Sequence, residues 1–301
     1  MKKYFVISDI HSFFSPMIKS LNEAGYQKDN REHILIILGD LFDRGDETVK
    51  LYEYLKTIPK DRLVLIKGNH ELLYEELLMK TFPDNYDFSN KTVKTFCDIA
   101  NSVLIKKGII ENRFDDHELY RSFYSYYIAV SPLDTWKEIL RLVKGSNITK
   151  FILNKASWLK YYELGKYIFV HSFIPTKLKE DIKTKYGDKF QSEDPIYYEF
   201  DNDWRKIENW DSALWGCPFR QYKAGLFKPE ENKGKVLVCG HWHTSDFFKF
   251  LDANFSYEHK CGPIYLSPHL IAIDGGVIWS KETGYVHQQN VLVIEEDKIG
   301  V

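Results

Sequence analysis

Short apolar runs and helically spaced segments alternate over the first eighty residues. Tyr4 to Ser8, Ile34 to Leu38 and Leu63 to Ile66 read as buried strands, while Pro16 to Ala24, Thr48 to Leu55 and Leu72 to Met79 carry helix-like spacing. The order βαβαβα predicts an α/β core with parallel strands. Each strand runs straight into polar residues, in SDIHS, GDLFDRGDE and KGNHE. In parallel sheets the loops and helix N-termini converge at the carboxyl ends of the strands, so these three segments are expected at one edge. From Thr81 to about Gly165 the pattern turns helical and strongly aromatic, with FYSYY at Phe123 to Tyr127 and WLKYYE at Trp158 to Glu163, which predicts a helical insertion over 81–165. The β pattern resumes at Tyr167 to Val170, Val236 to Cys239, Leu270 to Ile273 and Val291 to Glu295. Two of these strands again end in histidines, in VHS and CGHWH. No repeat, low-complexity tract or Gly/Ser linker separates the halves, so residues 1–301 are expected to form one domain.

The carboxylates Asp40, Asp43 and Asp46 crowd around one Arg44 at the end of an apolar strand. Such clustering is costly in a buried place unless something cationic balances it. The strand-end polar residues are Asp9, His11, Asp40, Asp43, Asn69, His70, His171, His241 and His243. Together they form an oxygen and nitrogen donor set without a thiolate, suited to Mn, Fe, Co, Ni or Zn rather than to Ca or Mg alone. Singly, each has a plain structural reading: His171 closing a strand on nearby backbone, His70 starting a helix, Asp43 and Arg44 forming a weak surface pair. Their joint occurrence in order, each at a strand end, points to a metal centre.

With 301 residues, 44% hydrophobic and 28% charged, the chain has the profile of a globular protein with a real core. Its longest apolar runs are far shorter than the roughly 20 residues of a membrane span, and the start MKKYFVISDIH is too short for a signal-peptide core. The four cysteines, Cys97, Cys217, Cys239 and Cys261, are scattered and form no CxxC pair. They read as reduced thiols, and a cytoplasmic location is expected. A net charge of −2 with both signs interspersed offers no track for a polynucleotide backbone.

The series SDIHS, GDLFDRG, GNHE, VHSF and GHWH resembles the motifs of the calcineurin-like metallophosphoesterase superfamily, and within it the bacterial and phage-type phosphoprotein phosphatases. The likeness extends to IAIDGG at Ile271 to Gly276 and to DSALWGCPF at Asp211 to Phe219. It implies a four-layer αββα sandwich, two mixed β-sheets flanked by helices. It also implies two divalent metal ions, manganese first among the expectations. Asp9, His11 and Asp40 would hold one ion, Asp40, Asn69, His171 and His241 the other, and Asp40 would bridge both. By the same resemblance His70 would be the general acid, oriented by Asp43, with Arg44 clamping the phosphoryl oxygens and Arg220 a second phosphate clamp. The chemistry agrees with that allocation. Paired cations lower the pKa of a bridging water, and with two carboxylates and a hydroxide they leave the site near plus one, which favours a phosphate dianion.

The chain departs from the family pattern at SDIHS, which lacks flanking glycines, at Ser172 and Phe173, and at His243, which in other metallophosphoesterases with GHxH is a ligand of the first metal and here is left open. The expected activity is hydrolysis of phosphate monoesters, on phosphoprotein or small esters, by a hydroxide activated between the two metals. The alternatives are hydrolysis of dinucleoside polyphosphates and, in another class, a silent module that only binds phosphorylated partners.

Overall fold

The computed structural model describes residues 1–79, 92–113, 133–251, 262–279 and 289–300. The strands are β1 Lys3–Ile7, β2 His33–Ile37, β3 Leu63–Leu65, β4 Tyr162–Leu164, β5 Tyr167–Phe169, β6 Thr176–Leu178, β7 Tyr198–Phe200, β8 Val236–Cys239, β9 Tyr265–Leu266, β10 Leu270–Ala272 and β11 Leu292–Glu295. The helices are α1 Phe14–Glu23, α2 Thr48–Leu55, α3 Asn69–Met79, α4 Thr92–Lys106, α5 Leu133–Gly145, α6 Asn147–Leu153, α7 Glu180–Tyr186, α8 Asp211–Leu214, α9 Pro218–Lys223 and α10 Thr244–Leu251.

Two sheets carry the architecture. The first has the order β11-β1-β2-β3, the second β4-β5-β8-β10-β9, and β6 pairs with β7 apart from both. Each sheet has three adjacent parallel strands, β1-β2-β3 and β5-β8-β10; antiparallel β11 flanks the first set on the β1 side only, and antiparallel β4 and β9 flank the second on both sides. Both sheets are therefore mixed.

The two-residue alternation of strands sorts side chains into layers. Tyr4, Val6, Ile36 and Leu38 of the first sheet meet Phe169, Val236, Val238, Ile271 and Ile273 of the second, forming a core between the sheets. The alternate residues Phe5, Ile7, Leu35 and Ile37 pack under the helices of the N-terminal half. Ile168, Val170, Leu237, Cys239, Leu270 and Ala272 pack with Trp204, Phe219 and Phe247 on the other side. Helix, sheet, sheet, helix is the expected four-layer αββα arrangement. Helix α1 follows the same logic, burying Met17, Ser20 and Leu21 on one stripe.

The expected insertion over 81–165 is helical only in part. Helices α4, α5 and α6 account for its described helical residues, while FYSYY lies outside the described residues. The stretch WLKYYE is not helical. Leu159 pairs with the first sheet, donating to Leu65 O at 2.8 Å and accepting from Lys67 N at 2.9 Å, and Tyr162–Leu164 is strand β4 beside β5. Successive tyrosines go to opposite sides: Tyr161 packs in the outer core of the second sheet and Tyr162 between the sheets. That is the period of a strand, and aromatic residues are at home there.

Phe169 is wholly buried between the sheets. Phe169→Ala is expected to cost about 3–5 kcal/mol in urea unfolding, whereas Val293→Ala, on the 39% exposed edge residue, should stay within about 0.5 kcal/mol.

Candidate metal centre and active site

Six parallel strands, three from each sheet, deliver the site from their carboxyl ends. Asp9 and His11 follow β1, Asp40 follows β2, Asn69 and His70 open α3 after β3, His171 follows β5, His241 follows β8 and Asp274 follows β10. The turns are tight. Asp9, His11, Ser12, Asp40, Asp43, Arg44 and His241 all have positive φ, seven of the eight non-glycine residues so placed among the described ones. Left-handed backbone costs a side-chain-bearing residue on the order of 1 kcal/mol, and such strain collects at functional sites. Gly68 and Gly240 are needed for closeness, since a Cβ on either would overlap the carboxylate of Asp40 or of Asp9.

Asp40 is the hub. Its Oδ1 lies 3.5 Å from His171 Nε2, and its Oδ2 lies 3.7 Å from His11 Nε2 and 3.9 Å from His70 Nε2. It is shared by two compact groups, His11-Asp40-His70 and Asp40-His171-His241, in each of which the potential ligand atoms lie within 4.8 Å of one another. Asp9 joins through its Oδ2, which accepts from the His241 backbone N–H at 2.9 Å.

The tautomers favour cation binding. His171 Nδ1 lies 2.7 Å from Leu38 O and His11 Nδ1 lies 3.1 Å from Phe42 O. A carbonyl only accepts, so both Nδ1 atoms carry hydrogen, and in the neutral rings the Nε2 lone pairs point into the cluster. One end of the Asn69 amide is surrounded by both Asp40 oxygens, His171 Nε2 and His241 Nδ1 at 2.8–3.2 Å. Four acceptors converging on one amide form the donor arrangement a cation would satisfy.

Electrostatics agree. Burial works against ionisation of Asp40, yet the imidazoles, His171 foremost, hold its carboxyl well below the usual range. Burial, then Asp274 and Asp40, push Asp9 well above it, a penalty that a divalent cation would reverse. Burial and His171 lower His241 to about 3, and burial with Arg44 and His70 lowers His11, so both rings are neutral ligands in waiting.

Beside the hub runs a second chain. His70 Nδ1 lies 2.7 Å from Asp43 Oδ2, and Arg44 Nη2 lies 3.2 Å from His70 Nε2. Burial would lower His70, but Asp40 and its hydrogen bond to Asp43 raise it instead. Asp46, the third acid of the opening cluster, is 57% exposed and pairs with Lys94 at 2.9 Å.

His243 is bound to Asp274, with Nδ1 to Oδ2 at 3.1 Å. Arg220 lies on α9, over the Phe250 ring at 5.6 Å, in a surface groove of about 580 Å³ with Ser192, Pro195 and Lys223. None of the residues of the two Asp40-centred groups lines that groove. Two residues were not singled out from sequence. Glu71 accepts from the backbone N–H groups of Gly68, Asp40 and Leu41 at 2.9–3.0 Å, tying the loops after β2 and β3 together, and burial next to Asp40 lifts it to about 7. Asp274 follows an apolar strand just as Asp9 and Asp40 do, a signal that could have found it.

Comparison with known proteins gives the family. Over 72 residues, 24% of this chain and 25% of the relative, the sequence is 35% identical to a symmetrical bis(5'-nucleosyl)-tetraphosphatase of Buchnera aphidicola. It is 33% identical over 67 residues, 22% of this chain and 29% of the relative, to serine/threonine-protein phosphatase 1 of Salmonella typhimurium. It is 31% identical over 120 residues, 36% of each, to serine/threonine-protein phosphatase SIT4 of Candida albicans. The chain thus matches between a quarter and about a third of the length of these relatives. The calcineurin-like phosphoesterase profile matches residues 2–245, most of the chain, and the chain belongs to that family.

Proposed function

We propose that the protein hydrolyses phosphate monoesters, on phosphorylated protein residues or small phosphate esters, at a pair of divalent metal ions. The observation that carries the reading is Asp40 shared between two imidazole-bearing groups, with the Asp43-His70-Arg44 chain against them. In this reading Asp9, His11 and Asp40 hold one ion and Asp40, Asn69, His171 and His241 the other. The donor set suits manganese, and also iron, zinc, cobalt or nickel. When bound, such ions activate water and neutralise charge on the phosphoryl oxygens.

The chain's own groups account for orientation and proton transfer. A guanidinium can only donate, so the contact from Arg44 at 3.2 Å opposes a proton on His70 Nε2, while the neighbouring carboxylates favour the imidazolium and prevail. A phosphate group attracts the planar fork of Arg44 more strongly. Its departure removes that opposition to a proton on Nε2, with Asp43 holding the Nδ1–H. As the bond from phosphorus to the leaving oxygen breaks, that proton passes from Nε2 to the oxygen and the ring returns to neutral. Because the pKa of His70 is raised, the acid stays protonated further into the alkaline range, and turnover should fall as pH rises through it.

A second reading, hydrolysis of dinucleoside polyphosphates, is favoured by the likeness to a bis(5'-nucleosyl)-tetraphosphatase. Trp215 also suits it, being 48% exposed with its ring 6.2 Å from that of His241, where a base could stack. A cytoplasmic setting is consistent with Cys217 and Cys239, which are free thiols. No helix among the described residues is long and apolar enough to cross a membrane.

Asp40→Asn is expected to lower metal content, measured by elemental analysis of protein purified without chelator, and to abolish turnover together with it. His70→Asn should keep the metals yet lose roughly 10²–10⁴ in rate on an alkyl phosphate, lose far less on a nitrophenyl phosphate, and lack the alkaline limb. Full activity of His70→Asn on the alkyl ester would contradict the acid role. On metal-loaded protein a phosphopeptide is expected to be cleaved faster than diadenosine tetraphosphate, and the opposite ranking would select the second reading.

A further inference from the structure

We infer that Thr95, on helix α4, is a positioning residue for the Asp43-His70 pair, so that the helical segment between α3 and β4 is part of the proton-delivery apparatus. The inference rests on the phosphoesterase reading and adds to it a residue on an element that carries none of the ligands.

The Thr95 hydroxyl engages Asp43 twice. It accepts from the Asp43 backbone N–H at 2.9 Å and donates to Asp43 Oδ1 at 2.5 Å. The other oxygen, Oδ2, is the one that meets His70 Nδ1. One hydroxyl therefore fixes both the backbone of Asp43, which is held at φ +74°, and the rotation of its carboxylate. A carboxylate free to turn would present either oxygen to the imidazole at a range of angles, and the ring it orients would follow. Thr95 and Asp43 are both about fully buried, so water is not at hand to replace a lost partner.

Helix α4 is itself held in place. Its apolar residues Phe96, Ile99 and Ala100 lie in the core of the N-terminal half. One turn beyond Thr95, Asp98 Oδ2 accepts from Thr48 Oγ1 at 2.7 Å, and Thr48 Oγ1 lies 2.9 Å from Ser12 Oγ, next to the ligand His11. Lys94 pairs with Asp46 on the same loop as Asp43. Lys94 and Thr95 thus grip the loop that follows β2, and Asp98 reaches the loop that follows β1 through Thr48 at the start of α2. A threonine needed only for packing would not require both hydrogen bonds to end on the residue that orients the acid.

The test compares Thr95→Val, which keeps the shape and removes the hydroxyl, with Thr95→Ser, which keeps the hydroxyl. In Thr95→Val, kcat on an alkyl phosphate should drop by about 10–100-fold, the usual scale for an outer partner of a site. KM and metal content should hold, the loss on nitrophenyl phosphate should be far smaller, and Thr95→Ser should recover most of the rate. A readout independent of turnover is the downfield proton NMR signal of the His70-Asp43 hydrogen bond, assigned by its disappearance in Asp43→Asn. It should move in Thr95→Val and return in Thr95→Ser. Unchanged leaving-group dependence with an unmoved signal would overturn the inference, as would equal losses on both esters with loss of metal. A wild-type protein that cleaves no phosphoester while the signal still moves would refute the phosphoesterase reading and leave the positioning of His70 by Thr95 intact.

Discussion

The whole arrangement depends on keeping one buried carboxylate, that of Asp40, ionised in the middle of the protein. A lone carboxylate so placed would take up a proton. Here imidazoles from both sheets hold it in the charged form, its Oδ1 accepts from the His70 backbone N–H at 3.0 Å, and its own backbone N–H is bound by Glu71. Every other feature of the site serves that point or exploits it. The left-handed turns bring Asp9, His11, Asp43 and His241 in from separate strands, and Gly68 and Gly240 let backbone approach where a methyl group would collide.

The cost of this concentration explains why it sits where it does. Seven strained residues and several like charges are tolerable only against a scaffold that cannot relax around them. The core between the sheets supplies that rigidity, since Val6, Ile36, Phe169 and Val238, which directly precede the site loops, are all fully buried. The strands point the loops, and the loops have little room to move apart.

Much of this was legible in the chain. Buried parallel strands are nearly continuous apolar runs, so β1, β2, β5, β8 and β10 stand out, and the polar residues at their ends announce the site. The four-layer arrangement came from resemblance, because two stacked sheets and one sheet produce the same runs. Strand β4 was hidden because tyrosines spaced for a strand also suit an aromatic helix, and only pairing with β5 decides between them. Arg220 has the right charge and follows a familiar segment, yet helix α9 turns it toward Phe250. Thr95 left no trace at all. It is an ordinary helical threonine 52 residues from its partner Asp43, and its role exists only once α4 is packed.

The division of labour between the two sheets has a consequence for how the site forms. Asp9, His11, Asp40, Asn69 and the His70 chain come from the first sheet, while His171, His241 and Asp274 come from the second. Neither sheet alone encloses Asp40, so the site does not exist until the core between the sheets is in place. In the proposed reading, metal binding would be coupled to that docking, bound ions stabilising the paired sheets and loosened packing between the sheets lowering the affinity for the ions. The Asp43-His70-Arg44 chain is different, for it comes wholly from the loop after β2 and the start of α3, with Thr95 of α4 bound to Asp43. In the proposed reading α4 thus bears on proton delivery through the hydrogen bonds of Thr95 to Asp43, at a residue that is not itself among the proposed metal ligands.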